Sequence, residues 1–274
     1  MLNNFILTQL NTYAATLEEK LKGDVLYYYG LTHPWFIKPF RNLIEKMASN
    51  DNKRDTICIF LNTSGGAVEP VEKMVDIIRY HYDKVYFFVP DFAMSAGTIF
   101  CTSGDKIFMD YSSSLGPIDP QVMINDNGVE KWVPALGVLE QVEKLIAKSK
   151  DNTISPAEFS ILQSQNLAIL SSYEHARDLS IDLATKWLIK YRFNQGTQQA
   201  DAEEIVKKLI DHNKWHSHGR FIGIETLREI GLKIDDYPNE ATVLIRAYND
   251  LITDFVQQNR YTCYMHDKQK ITEG

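Results

Sequence analysis

Cysteine is scarce in this chain, with three residues in 274. So odd and sparse a count excludes a disulfide framework and predicts free thiols in a reducing compartment. Basic residues are outnumbered: 29 Lys and Arg stand against 36 Asp and Glu, a formal charge of −7. Without a long basic run the chain lacks the electrostatic footprint that grips phosphate backbones, so nucleic acid is excluded as a primary partner. Long apolar runs are missing too. No stretch approaches the ~20 apolar residues that span a bilayer, and the opening MLNNFILTQLNTYAATLEEK has no basic region followed by an apolar one. The expectation is a cytoplasmic protein with no membrane span.

What is present has globular proportions, 44% hydrophobic and 24% charged, enough for one large domain or two small ones with a sizeable core. Ile6, Leu10, Tyr13, Leu17 and Leu21 recur at steps of three and four, which predicts an N-terminal helix over residues 1–23. From 24 to 134, short apolar runs rich in β-formers (24–29, 56–61, 85–89, 107–109) alternate with helical patterns (35–47, 68–80, 95–102). That alternation predicts an α/β fold, a parallel sheet built from repeated β-α units and covered on its faces. Pro117, Pro120, the 125–128 segment and Pro134 then predict a loop. Residues 135–274 form a helical C-terminal part of the same domain, with helices over 136–150 and 156–194, a closing unit over 215–234 whose helix 222–232 ends at Gly231, and a polar C-terminal helix and tail.

Two glycine-containing turns stand at the carboxyl ends of successive predicted strands, Asn62-Thr63-Ser64-Gly65-Gly66 and Phe92-Ala93-Met94-Ser95-Ala96-Gly97. Ligands bind at those strand ends in parallel α/β sheets. Gly65 and Gly66 can adopt backbone angles closed to other residues and so present bare N–H groups to a ligand. A nucleophile on one turn and oxyanion donors on its neighbour is the arrangement that acyl transfer requires.

The stretch from Leu61 to Gln121, with its Thr-Ser-Gly-Gly, Ala-Met-Ser-Ala-Gly-Thr and Leu-Gly-Pro-Ile-Asp-Pro-Gln segments, resembles the serine dehydrogenase proteinase family of the Clp protease and crotonase-like superfamily. It is also similar to the membrane-associated NfeD-type and signal peptide peptidase A enzymes. The 215–232 segment resembles the family's closing unit more weakly. The resemblance implies Ser95 as nucleophile, with the N–H groups of Gly66 and Ala96, supported by Gly65, as the oxyanion hole. It implies a Clp/crotonase-like fold and a homo-oligomer.

The general base stays open. Where the Clp proteolytic subunit carries its histidine, this chain has Asp119. Where the lysine-dependent relatives carry their lysine, residues 133–136 have none, and Lys131 and Lys144 only flank the place. A serine hydroxyl needs a base. His218, just before the closing helix, is the first candidate, with Asp119 to orient its imidazole; each also has a plain structural reading as a loop or turn residue. His212, His216 and His218 lack the Cys or Glu that would complete a metal spacing, so no metal is expected. His175 reads as helix decoration and Cys101 as a small core residue.

The leading expectation is a serine peptidase acting on peptide or protein substrates through an acyl-enzyme at Ser95, with no cofactor. The alternatives are a crotonase-like acyl-thioester enzyme, for which no basic pocket for adenosine phosphates is evident, and a catalytically silent scaffold of the same fold.

Overall fold

The structure is a computed structural model that describes residues 2–126, 128–193, 199–268 and 271–273. The first half runs α1 (Leu2–Leu21), β1 (Asp24–Gly30), α2 (Ile37–Ala48), β2 (Thr56–Asn62), α3 (Val68–His81), β3 (Lys84–Phe88), β4 (Phe92–Ala93), α4 (Ala96–Thr102), β5 (Lys106–Met109) and β6 (Ser114–Leu115). There follow β7 (Gln121–Asp126), β8 (Val129–Pro134), α5 (Ala135–Lys150), α6 (Pro156–Gln163), α7 (Leu167–Trp187) and α8 (Gln199–Ile210). The chain ends with α9 (His212–Trp215), β9 (Ile222–Gly223), α10 (Ile224–Glu229), β10 (Asp235–Asp236), α11 (Thr242–Asn259), β11 (Cys263–His266) and β12 (Ile271–Glu273).

The main sheet has the order β10-β5-β3-β2-β1-β11-β12. Its strands are parallel from β10 to β1, and β11 and β12 join antiparallel. The α/β fold with a mostly parallel sheet is as expected. Period-two alternation divides the sheet's side chains between two faces. Leu26, Tyr28, Ile57, Ile59, Leu61, Val85 and Phe87 enter one core beneath α2, α3, α4 and α7, while Val25, Tyr27, Cys58, Phe60 and Phe88 enter another beneath α1 and α11. On the second face Tyr27, Phe60, Phe88 and Phe108 stack across four register-matched strands, with centroids 6.4, 4.9 and 4.5 Å apart. Buried strand packing therefore accounts for the aromatic side chains of Tyr27, Phe60, Phe88 and Phe108. The helices follow the 3.6 period: α2 buries Phe40, Leu43, Ile44 and Met47, and α3 buries Pro70, Val71, Met74, Val75 and Ile78.

Several expectations need correction. The polar C-terminal tail is β11 and β12, and β11 pairs with β1 through Tyr27–His266 to Gly30–Cys263. The proline-marked loop contains the antiparallel β7–β8 pair. The long helix over 156–194 breaks between α6 and α7, where the Asn166 side chain accepts from the N–H groups of Ala168 and Ile169 and starts a new helix; Asn194 lies outside the described residues. The closing helix begins two residues late, because Ile222 and Gly223 are strand. Among the described residues no helix is long and apolar enough to cross a membrane.

A second, smaller sheet positions the candidate site. Its order is β4-β6-β9, with Ala93 beside Leu115 in parallel and Leu115 opposite Ile222 in antiparallel pairing.

Candidate active site

Ser95 stands between β4 and α4 with φ 52° and ψ −116°. A side-chain-bearing residue in that region costs about 1–3 kcal/mol and persists only where its surroundings over-determine it. They do so here. Thr63 N donates to Phe92 O at 3.1 Å and Met94 N to Thr63 O at 2.9 Å, while Gly97 N donates to Met94 O at 2.7 Å. Ser95 occupies the N-cap position of α4, yet its hydroxyl makes no capping hydrogen bond. Among the described residues the hydroxyl has no capping partner, and the backbone holds it at the end of a β-strand, as in a nucleophile elbow.

The Gly65–Gly66 turn presses against it. Both glycines have positive φ, +98° and +134°. A Cβ on Gly65 would lie 2.7 Å from Met94 O and 2.9 Å from Ser95 Cβ, and one on Gly66 would lie 2.4 Å from Thr32 O. Thr32 fastens the turn from outside: its N–H donates to Gly65 O at 2.8 Å, its carbonyl accepts from Ala67 N at 2.9 Å, and its hydroxyl donates to Ala67 O at 2.9 Å. The N–H of Gly65 donates to Thr63 Oγ1 at 3.0 Å, so Gly65 supports the turn by its conformation. Among the described residues no backbone acceptor takes the N–H groups of Gly66 and Ala96.

His218 and Asp119 meet although 99 residues separate them: His218 Nδ1 lies 2.9 Å from Asp119 Oδ1. The small sheet explains why. Asp119 lies four places beyond Leu115 and His218 four places before Ile222, and Leu115 and Ile222 are register partners in the antiparallel β6–β9 pair. Ser95, two places beyond Ala93 on β4, lies at the same end of that sheet. The arm carrying Asp119 is pinned by Ile118 N to Leu209 O at 3.2 Å and Ala135 N to Pro120 O at 2.9 Å. His218 is held in the Ser217–Arg220 turn, closed at 3.1 Å, after His216 ends α9 in a left-handed conformation. Asp119 is 1% exposed. A carboxylate only accepts, so a neutral imidazole paired with it through Nδ1 holds its proton there and has Nε2 as its unprotonated nitrogen. Ser95 and His218 do not hydrogen-bond to each other in this structure.

The other candidates lie elsewhere. The side chain of Lys131 is outside the described residues, Lys144 is exposed on α5, and His175 is exposed on α7. His212 Nδ1 sits 3.3 Å from Glu140 Oε1. Cys101 is buried in the core against α4's neighbours. No group of three metal-ligating side chains occurs among the described residues. Sequence reasoning missed Thr32 and Thr63, which hold the glycine turn; a single threonine carries no pattern by which it would be noticed.

The sequence profile of ClpP-like SDH-type serine proteinases matches residues 44–272. The chain belongs to this family. Gly65, Gly66, Ser95, Asp119 and His218 all fall inside the ClpP-like match. The chain is 28% identical over 201 residues to uncharacterized protein MJ0137 of Methanocaldococcus jannaschii, covering 72% of this chain and 59% of that one. It is 26% identical over 193 residues to uncharacterized protein MJ1495 of the same organism, covering 70% and 56%. The ClpP-like chain thus spans under three fifths of the length of these curated relatives.

Proposed function

We propose that this chain is a serine peptidase in which Ser95 is the nucleophile, His218 the general base and Asp119 its orienting carboxylate. The observation that carries the reading is the pairing of a positive-φ Ser95, whose hydroxyl makes no capping bond, with a His218–Asp119 hydrogen bond at the same end of one small sheet. His218 Nε2 takes the proton as Ser95 Oγ attacks the peptide carbonyl, and the N–H groups of Gly66 and Ala96 receive the oxyanion. The imidazolium then gives its proton to the departing amine. Water, deprotonated by the same nitrogen, hydrolyses the acyl-enzyme.

Apolar side chains near the two turns suit a polypeptide substrate. Leu31 and Trp35 flank Thr32 on the oxyanion side, with Trp35 80% exposed. Phe221, 63% exposed, meets Phe92 at 6.1 Å on the side of the base. Assembly into a homo-oligomer belongs to the same reading, supported by the exposed Phe159, Ile161, Leu167 and Ile169 on α6 and α7.

The test is active-site labelling. A fluorophosphonate should modify Ser95 in the wild type and leave Ser95→Ala unmodified, with cleavage of an apolar fluorogenic peptide lost in parallel. Absence of labelling in a folded, assembled wild type would overturn the proposal in favour of a silent scaffold.

A further inference from the structure

Thr98 lies one turn beyond Ser95, fully buried, and its hydroxyl is engaged three times. Oγ1 is 2.8 Å from Ala93 O and 2.9 Å from Gly116 O, and it accepts from Gly116 N at 3.0 Å. A threonine inside a helix ordinarily bonds the carbonyl four residues back. Here one carbonyl is five residues back, in β4, and the other is 18 residues ahead, so the hydroxyl acts between elements. Ala93 ends the strand that leads into Ser95. Gly116 begins the arm that leads to Asp119. The approach is close enough that a Cβ on Gly116 would lie 2.7 Å from Met94 Cε and 3.2 Å from Met94 Cα.

We infer that Thr98 is a positioning residue for the proposed reaction: its hydroxyl clamps the arm carrying Asp119 to the turn carrying Ser95, and so fixes where the His218 imidazole stands relative to the nucleophile. The inference rests on the serine-peptidase reading of the site. A hydroxyl that shares its one proton between two carbonyls and accepts one N–H cannot be replaced by a methyl without taking the donor from both carbonyls and the acceptor from Gly116 N. The arm would then relax away from β4, and Asp119 would carry His218 with it.

The comparison is wild type, Thr98→Val and Thr98→Ser, with Thr98→Ala used if the valine variant fails to fold. Two quantities are read: the second-order rate of Ser95 labelling by a small fluorophosphonate against pH, and the His218 tautomer by 1H–15N NMR. Loss of the hydroxyl should slow labelling at least tenfold per folded molecule and move the midpoint of its pH profile. It should also lower the Nδ1–H fraction of His218. Thr98→Ser should keep all three near wild type. A hydroxyl-free variant with wild-type labelling rate, midpoint and tautomer would overturn the inference, even if its melting temperature fell. If the wild type itself does not label, the serine reading fails, and the tautomer comparison still decides whether Thr98 fixes His218.

Discussion

At the scale of single residues, the site depends on groups with one geometric task each. Replacing Asp119 by Asn keeps the shape but offers an amide where a carboxylate held the Nδ1 proton. On the proposed mechanism kcat should fall by about 10⁴ with little change in KM. His218→Gln should remove a comparable factor, and His218→Gln together with Asp119→Asn should cost little more than either alone, because the two act as a unit. Steady-state kinetics on the three variants checks this. Gly66→Ala puts a Cβ 2.4 Å from Thr32 O in a backbone with φ +134°, so the turn must open. A loss of more than ~1 kcal/mol in urea-melt stability is expected, together with loss of Ser95 labelling. Burial pushes the Cys263 thiol up to about 12, with Cys58 and Cys101 raised as well. The native protein should therefore resist iodoacetamide at pH 8 and react on unfolding, as mass spectrometry would show.

At the scale of elements, α1, α11 and β11 are tied through one imidazole. His266 is fully buried; its Nε2 lies 2.9 Å from Asn11 Oδ1 on α1 and its Nδ1 lies 2.7 Å from Tyr248 Oη on α11. With Nε2–H donating to the Asn11 carbonyl, Nδ1 accepts from the tyrosine, which satisfies the neutral ring. Burial lowers the His266 pKa to about 4. The unfolded chain, with an ordinary imidazole near 6.5, binds the proton more readily than the native state. The contribution of His266 is therefore fully present above pH ~6.5, declines as pH falls, and is lost below pH ~4, roughly 3 kcal/mol in all. Urea melts between pH 7.5 and 4 should show that decline, and His266→Phe should flatten it.

The C-terminal tail also belongs to this scale. Cys263–His266 is four residues long and follows a helix whose last turn is polar, so nothing in its own pattern marks it as a strand. It becomes one because β1 presents an open edge with Tyr27 to Gly30 in register, and the pairing buries all four of its residues. The break at Ser164–Asn166 is different. The Asn166 cap is a helix-start signal in the sequence, but the apolar residues at helical spacing on either side conceal the break.

At the scale of the whole molecule, the proposed homo-oligomer has a candidate contact surface in the exposed apolar side chains of α6 and α7. Leu167 on α7 is 79% exposed, and Ile161 and Phe159 on α6 are exposed as well, in the helical part of the chain. Sedimentation velocity at micromolar concentration should show a species larger than 31.5 kDa, and Leu167→Asp should shift it toward the monomer. A monomeric wild type would count against assembly.

The sequence by itself determined the alternation of strands and helices, the two cores that period-two patterning divides, and the two glycine-containing turns, because each is a short-range consequence of side-chain periodicity and backbone freedom. It also singled out Ser95, Asp119 and His218 and offered Asp119 as the carboxylate to orient His218, though no pattern in it fixed the distances among them. Only the tertiary structure decided that relation. Asp119 and His218 meet because β6 and β9 pair in one register across about a hundred residues and so bring the arm after β6 and the turn before β9 to the same end of the small sheet. A register is set by the packing of the elements on both sides of it, and no local pattern in the chain records it.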